Sequence, residues 1–125
     1  MSQGTAGSIL LVDDDVELLP VLSSMLTPLG FRVVTAVNGA DALQRFSEED
    51  FSILVTDLAM PKLNGLQLAE RCRQANPALQ VIMVTAWDVL LTDEDLEAYG
   101  IACVLPKPVR GSNLRDAIQE ALARV

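Results

Sequence analysis

Three carboxylates in a row, Asp13, Asp14 and Asp15, directly follow the apolar run "ILLV" at residues 9–12. Like charges crowded at the end of a buried segment repel. At roughly 5 Å and an effective dielectric of about 20, each pair costs on the order of 3 kcal/mol. Such a cluster demands a cation, a helix start, or both. Three further polar residues close later apolar runs in the same manner: Asp57 after "FSILVT", Thr85 ending "QVIMVT", and Lys107 just beyond "IACVL". Carboxylates with one hydroxyl and one ammonium, and neither thiolate nor imidazole, make a hard oxygen site suited to Mg2+. The same set suits phosphoryl transfer. Asp57 can attack an activated phosphoryl group in line, with Mg2+ and Lys107 neutralising the equatorial oxygens and Thr85 donating a hydrogen bond to one of them. The product would be an acyl phosphate.

Each residue also has an ordinary structural use. A single Asp after a strand is more often a turn former or cap, a Thr at a strand end a turn or ladder residue, and a lone Lys a solvated surface group. Falling together at successive strand ends, they read as one shared site. Asp15 reads separately, since an Asp at or before the first turn of a helix accepts orphan backbone N–H groups and favours the positive dipole end.

The elements that must position these residues follow from periodicity. "SILLV" (8–12), "FRVVTA" (31–36), "FSILVT" (51–56), "QVIMVT" (80–85) and "IACVL" (101–105) read as strands, the first, third and fourth apolar enough to be covered on both faces. Helical spacing links Leu18, Leu22, Met25 and Leu29, then Ala42, Leu43 and Phe46, then Leu68, Ala69 and Cys72, and last Leu114, Ile118, Ala121 and Leu122. Gly30 closes the first helix, Asn38 caps the second, Asn64 the third, and Ser112 or Asn113 the last. Pro20 falls inside the first helical pattern as a local cost. Strands alternating with helices imply βαβ units, a parallel sheet and right-handed crossovers, with function at the carboxyl ends of the strands.

Half of the 125 residues are hydrophobic and 21% are charged, which predicts one globular domain with a core of its own. A net charge of −8 disfavours direct contact with nucleic acid or an anionic membrane. No apolar run approaches the roughly 20 residues of a membrane helix, and "MSQGTAGS" lacks the regions of a signal peptide, so a cytoplasmic location is expected. Cys72 and Cys103 lack C-x-x-C spacing and read as small core residues. The chain has no histidine, which removes catalytic triads, imidazole acid–base chemistry and most transition-metal sites.

In their order and spacing, "LLVDDD", "LVTDLAMPKLNG", "VIMVTA" and "LPKP" resemble the receiver domain of two-component response regulators, over residues 8–124. The resemblance implies an α/β, flavodoxin-like, doubly wound five-stranded parallel sheet of order 2-1-3-4-5 with five helices. It would form one receiver domain over residues 8–125 behind a flexible tail at 1–7. By the same resemblance Asp57 is the phosphoacceptor, and Mg2+ is held by Asp14 directly, by Asp13 with water, by Asp57 and by the backbone carbonyl of Ala59. Thr85 is the switch hydroxyl, Lys107 contacts the phosphoryl group, and the Lys107–Pro108 peptide is cis. A histidine kinase or histidine phosphotransfer protein would donate the phosphoryl group. The domain would catalyse only its own phosphorylation and dephosphorylation.

Two stretches depart from that pattern. Val104 stands where the family usually has Tyr or Phe, so no aromatic ring there can follow the switch Thr; Tyr99 and Trp87 either take part in signalling or simply pack and sit at the surface. In "WDVLLTDEDLEAYG", Thr92 and Asp95 resemble a capping box, which predicts a short fourth helix starting near Asp93. Val89, Leu90 and Leu91 are then left in a loop that is either a partner surface or folded onto the sheet. Phosphorylation is expected to draw Thr85 and Ala86 toward the new oxygens, pull the 86–91 loop and bias an output surface, with residues 89–122 as the candidate homodimer face. Whether the receiver stands alone or belongs to a larger regulator is left open. The competing readings are a phosphorylation-independent docking or dimerisation module, and a Mg2+-dependent aspartyl phosphatase of the haloacid dehalogenase type.

Overall fold

The computed structural model describes residues 7–86 and 89–123. Residues 1–6, most of the expected tail, and Trp87 lie outside the described residues. The Gly7 carbonyl accepts the Arg32 N–H at 3.1 Å.

Strands β1 (Ser8–Val12), β2 (Arg32–Ala36), β3 (Ile53–Asp57), β4 (Gln80–Thr85) and β5 (Ile101–Pro106) alternate with helices α1 (Leu18–Leu26), α2 (Gly39–Glu48), α3 (Gly65–Ala75), α4 (Asp93–Ala98) and α5 (Gly111–Ala123). The five strands form one sheet in the order β2-β1-β3-β4-β5, all pairs parallel, which is the expected topology. Consecutive residues of the central strands point to opposite layers. Ile9, Leu11, Ile53, Val55, Ile82 and Val84 face a core closed by Leu19, Leu22 and Leu26 of α1 and Leu114, Ala117, Ile118 and Ala121 of α5. Leu10, Val12, Leu54, Val81 and Met83 face the other, with Ala42 of α2 and Leu68, Ala69 and Cys72 of α3. Covering both faces explains why β1, β3 and β4 read as continuous apolar runs. Each fully buried Leu or Ile contributes roughly 1.5–3 kcal/mol. Burial pushes the Cys72 thiol up to about 12, as befits a core residue.

Several local expectations need correction. The inward face of α1 is Leu19, Leu22 and Leu26, whereas Met25 and Leu29 are exposed and Leu18 is only partly buried. The segment "LLPVLSSMLTPL" carries apolar residues on more than one stripe, and only packing against α5 selects between them. Pro20 is the third residue of α1, among the first-turn positions whose N–H groups have no intrahelical partner, so it carries no lost bond. Ser112 and Asn113 do not cap α5. The helix starts earlier, at Gly111, and the Leu114 N–H bonds to the Arg110 carbonyl. Phe31 and Phe51 precede their strands rather than belong to them, both buried in the core.

Strand β5 contains an irregularity that the sequence pattern does not announce. Val81 pairs with Ile101 but Ile82 pairs with Cys103, so Ala102 is an extra residue. Ala102 and Cys103 both pack against the α1/α5 core, and the shift turns Val104 to the other layer, against which Leu96 and Tyr99 also pack.

Candidate functional site

β1 and β3 end at the same level of the sheet, Val12 opposite Thr56, and β3 and β4 end with Asp57 opposite Val84. The residues just past or at these ends are therefore forced together. Asp13 leaves β1 with its N–H on the Ala36 carbonyl at 3.2 Å, and its Oδ1 accepts the Asp15 N–H at 2.8 Å. Asp15 Oδ1 accepts the N–H groups of Glu17 and Leu18 at 3.1 and 3.3 Å, the helix-start role expected of it. Asp57 ends β3 at 1% exposure. Its Oδ2 lies 2.7 Å from Lys107 Nζ and its Oδ1 accepts the Ala59 N–H at 3.2 Å.

Lys107 is held from behind. Its backbone N–H donates to the Thr85 carbonyl at 2.8 Å, and the Lys107–Pro108 peptide is cis, as expected. Thr85 is the buried last residue of β4, opposite Pro106. All six sequence-selected residues thus lie on one edge of the sheet: Asp13, Asp14, Asp57, Ala59, Thr85 and Lys107. An open cavity of about 480 Å3 at this edge is lined by Asp13, Asp14 and Lys107 together with the apolar Leu18, Val84, Pro108 and Val109.

Carboxylate oxygens of Asp13, Asp14 and Asp57 lie within 4.8 Å of one another. Burial raises the Asp13 carboxyl above its usual range, and the charges of Asp57 and Asp14 add to the rise against the Asp15 N–H and Lys107, which lower it. For Lys107 burial acts downward, but the hydrogen bond and charge of Asp57, with Asp13 and Asp14 behind it, raise the ammonium above its usual value. Three carboxylates facing one ammonium leave negative charge uncompensated, and an all-oxygen donor set fits a hard divalent cation.

The loop after β3 is shaped for this edge. The Leu63 N–H donates to the Pro61 carbonyl at 2.8 Å across Lys62, whose φ is +71°, a tight γ-turn. Asn64 and Gln67 then cap α3 reciprocally. Two residues escaped the sequence reasoning. A Cβ on Gly65 would lie 2.5 Å from the Asp57 carbonyl oxygen and 2.8 Å from Met83 Sδ, so α3 can begin against the strand end only with glycine there. Thr56, fully buried, donates its hydroxyl to the Asp57 carbonyl at 3.0 Å. A glycine directly after an N-cap Asn was the available signal for the first, and a hydroxyl inside an apolar strand for the second.

Beyond Thr85, the fourth helix is short and late, as predicted. Thr92 and Asp95 form the capping box, and α4 runs only from Asp93 to Ala98. The two fates considered for the preceding loop are divided between neighbours: Leu90 is 90% exposed, while Leu91 packs against the core layer that holds Met83. Tyr99 packs in that layer too.

Residues 9–119 match the family model described as response regulator receiver domain. The chain is 37% identical over 112 residues to "Response regulator receiver protein CpdR" of Brucella abortus (strain 2308), covering 90% of this chain and 91% of that protein. It is 36% identical over 114 residues to "Transcriptional regulatory protein GlrR" of Escherichia coli (strain K12), covering 91% of this chain but only 26% of the longer relative. Among solved structures, a CheY-like response regulator receiver domain protein from Methanospirillum hungatei JF-1 superposes with a TM-score of 0.85 at 28% identity, covering 94% of each chain.

Proposed function

Because the chain belongs to the response regulator receiver domain family, we propose that it is a phosphoacceptor switch that takes a phosphoryl group onto Asp57. The donor would be a phosphohistidine on a histidine kinase or phosphotransfer protein, in keeping with a chain that has no histidine of its own. An Asp57 carboxylate oxygen forms the new P–O bond as the P–N bond breaks, and the imidazole leaves with the electron pair. The observation that carries this reading is the Asp57–Lys107 contact at 2.7 Å beside two further carboxylates. Lys107 is in place to meet the oxygens of the incoming group, and Thr85 stands at the adjacent strand end to donate to one of them.

Asp13, Asp14, Asp57 and the Ala59 carbonyl would hold Mg2+, which when bound neutralises charge on the phosphoryl oxygens. The described helices include none long and apolar enough to cross a membrane. We take the 86–91 loop and α4 as the output side, because Thr85 opens that loop. A homodimer through the 89–122 face belongs to the same proposal. A haloacid dehalogenase-type phosphatase would leave Asp57 without a role. A docking module independent of phosphorylation would leave the whole constellation unexplained.

The test is the intact mass of the wild-type chain and Asp57→Asn after incubation with acetyl phosphate and Mg2+, with and without a chelator. One metal-dependent phosphoryl adduct in the wild type, absent from the variant, is expected. No adduct from acetyl phosphate or from a phosphohistidine donor would overturn the reading in favour of the docking module.

A further inference from the structure

We propose that Thr56 is a positioning residue for the chemistry at Asp57, its buried hydroxyl holding the peptide plane from which the 57–59 backbone presents the carboxylate. This inference rests on the reading of Asp57 as phosphoacceptor.

Thr56 lies in a strand with every residue buried, opposite Val12 on one side and Met83 on the other. Valine has the same shape and would suit such a site without a polar atom. A hydroxyl there is costly unless it is hydrogen-bonded. It donates to the carbonyl oxygen of Asp57 at 3.0 Å. The peptide between Asp57 and Leu58 is therefore gripped at both ends, because the Leu58 N–H donates to the Val84 carbonyl at 2.8 Å. The next peptide is gripped as well: the Leu58 carbonyl accepts the Gly65 N–H at 2.9 Å, and the Ala59 N–H reaches back to Asp57 Oδ1 at 3.2 Å. Of these four donors, three are backbone amides and one is a side chain, so Thr56 is where a substitution can release the grip without touching the carboxylate. The Asp57 carbonyl has little room to find another partner, since even a Cβ on Gly65 would come within 2.5 Å of it. Without the hydroxyl the plane turns, and the Ala59 N–H and Asp57 Oδ1 turn with it.

The experiment compares the full chain with Thr56→Val and Thr56→Ser for the rate of adduct formation from acetyl phosphate and Mg2+, well below each melting temperature. Thr56→Val is expected to react about tenfold more slowly, since small misplacements of a reacting group cost rate steeply. Thr56→Ser keeps the hydroxyl but loses the methyl, so it should melt below the wild type yet react within about twofold of its rate. A purely structural role would instead make rate follow melting temperature. With neither donor nor metal, the Ala59 amide resonance should move in Thr56→Val and stay in Thr56→Ser. A Thr56→Val protein that reacts like wild type, or a Thr56→Ser protein as slow as Thr56→Val, overturns the inference while Asp57 keeps its role. A wild-type chain that forms no adduct overturns both.

Discussion

The rim that carries Asp13, Asp57 and Lys107 and the segment from Val89 to Ala98, which connects β4 to β5, are built in opposite ways. At the rim, β3 is buried along its whole length and β4 along all but its first residue. Every peptide from Asp57 to Ala59 has a hydrogen-bonded partner. In the connecting segment, α4 has six residues, none of them buried, and the four residues before it form no regular structure. It is held by a capping box and by Leu91, Leu96 and Tyr99 resting on the layer below. Chemistry that depends on sub-ångström geometry belongs on rigid elements, whereas an element that must move has to come from the low-stability end of the structure. On the proposed reading, the rim would carry the chemistry and the 89–98 segment the movement.

Substitutions can break or sharpen this contrast. The largest effect is expected at the rim, where Gly65→Ala drives a methyl into the Asp57 carbonyl and Met83. Overpacking of this kind costs typically 1–3 kcal/mol. Denaturant unfolding should show the loss, and an unchanged midpoint would mean that α3 approaches the strand end less tightly than its geometry demands. A smaller effect is expected in α4. Thr92→Ala removes the side chain that accepts the Asp95 N–H at 3.1 Å, at a cost of about 1 kcal/mol. Amide exchange should place that loss in residues 92–98 and leave β3 protected; equal acceleration in both would show that the segments open as one unit. The smallest is Leu90→Ala, which removes a side chain that is 90% exposed and should stay within about 0.5 kcal/mol of wild type. A larger loss in dilute protein would mean that Leu90 is covered in solution, by a second copy or by the chain itself.

The site was legible because strands announce themselves by apolar runs, and whatever polar residue ends such a run in a parallel sheet arrives at a shared edge. Asp13, Asp57, Thr85 and Lys107 could be gathered on paper for that reason. The short α4 was equally readable, since Thr92 and Asp95 form a local signal three residues apart. Choices between near-equivalent local options were not readable. The inward stripe of α1 and the start of α5 at Gly111 each depend on the other helix: Leu19, Leu22 and Leu26 share one core with Leu114 and Ile118, and a Cβ on Gly111 would strike the Met25 thioether. Gly65 left one local trace, its place directly after an N-cap Asn, but what it does there consists of an atom that must be missing and shows only where α3 meets the strand end.

What the sequence determined by itself is the set of elements, their alternation, and the chemistry of the residues that end the strands, because periodicity, capping and side-chain type are local properties. What only the tertiary structure decided is which of two faces a residue takes. The extra residue at Ala102 sends Val104 to the α4 layer, and the meeting of β3 with α3 turns Thr56 and Gly65 from an ordinary strand residue and an ordinary helix start into the supports of Asp57. Those outcomes depend on distances between segments far apart in the chain, which close packing sets and no local pattern encodes.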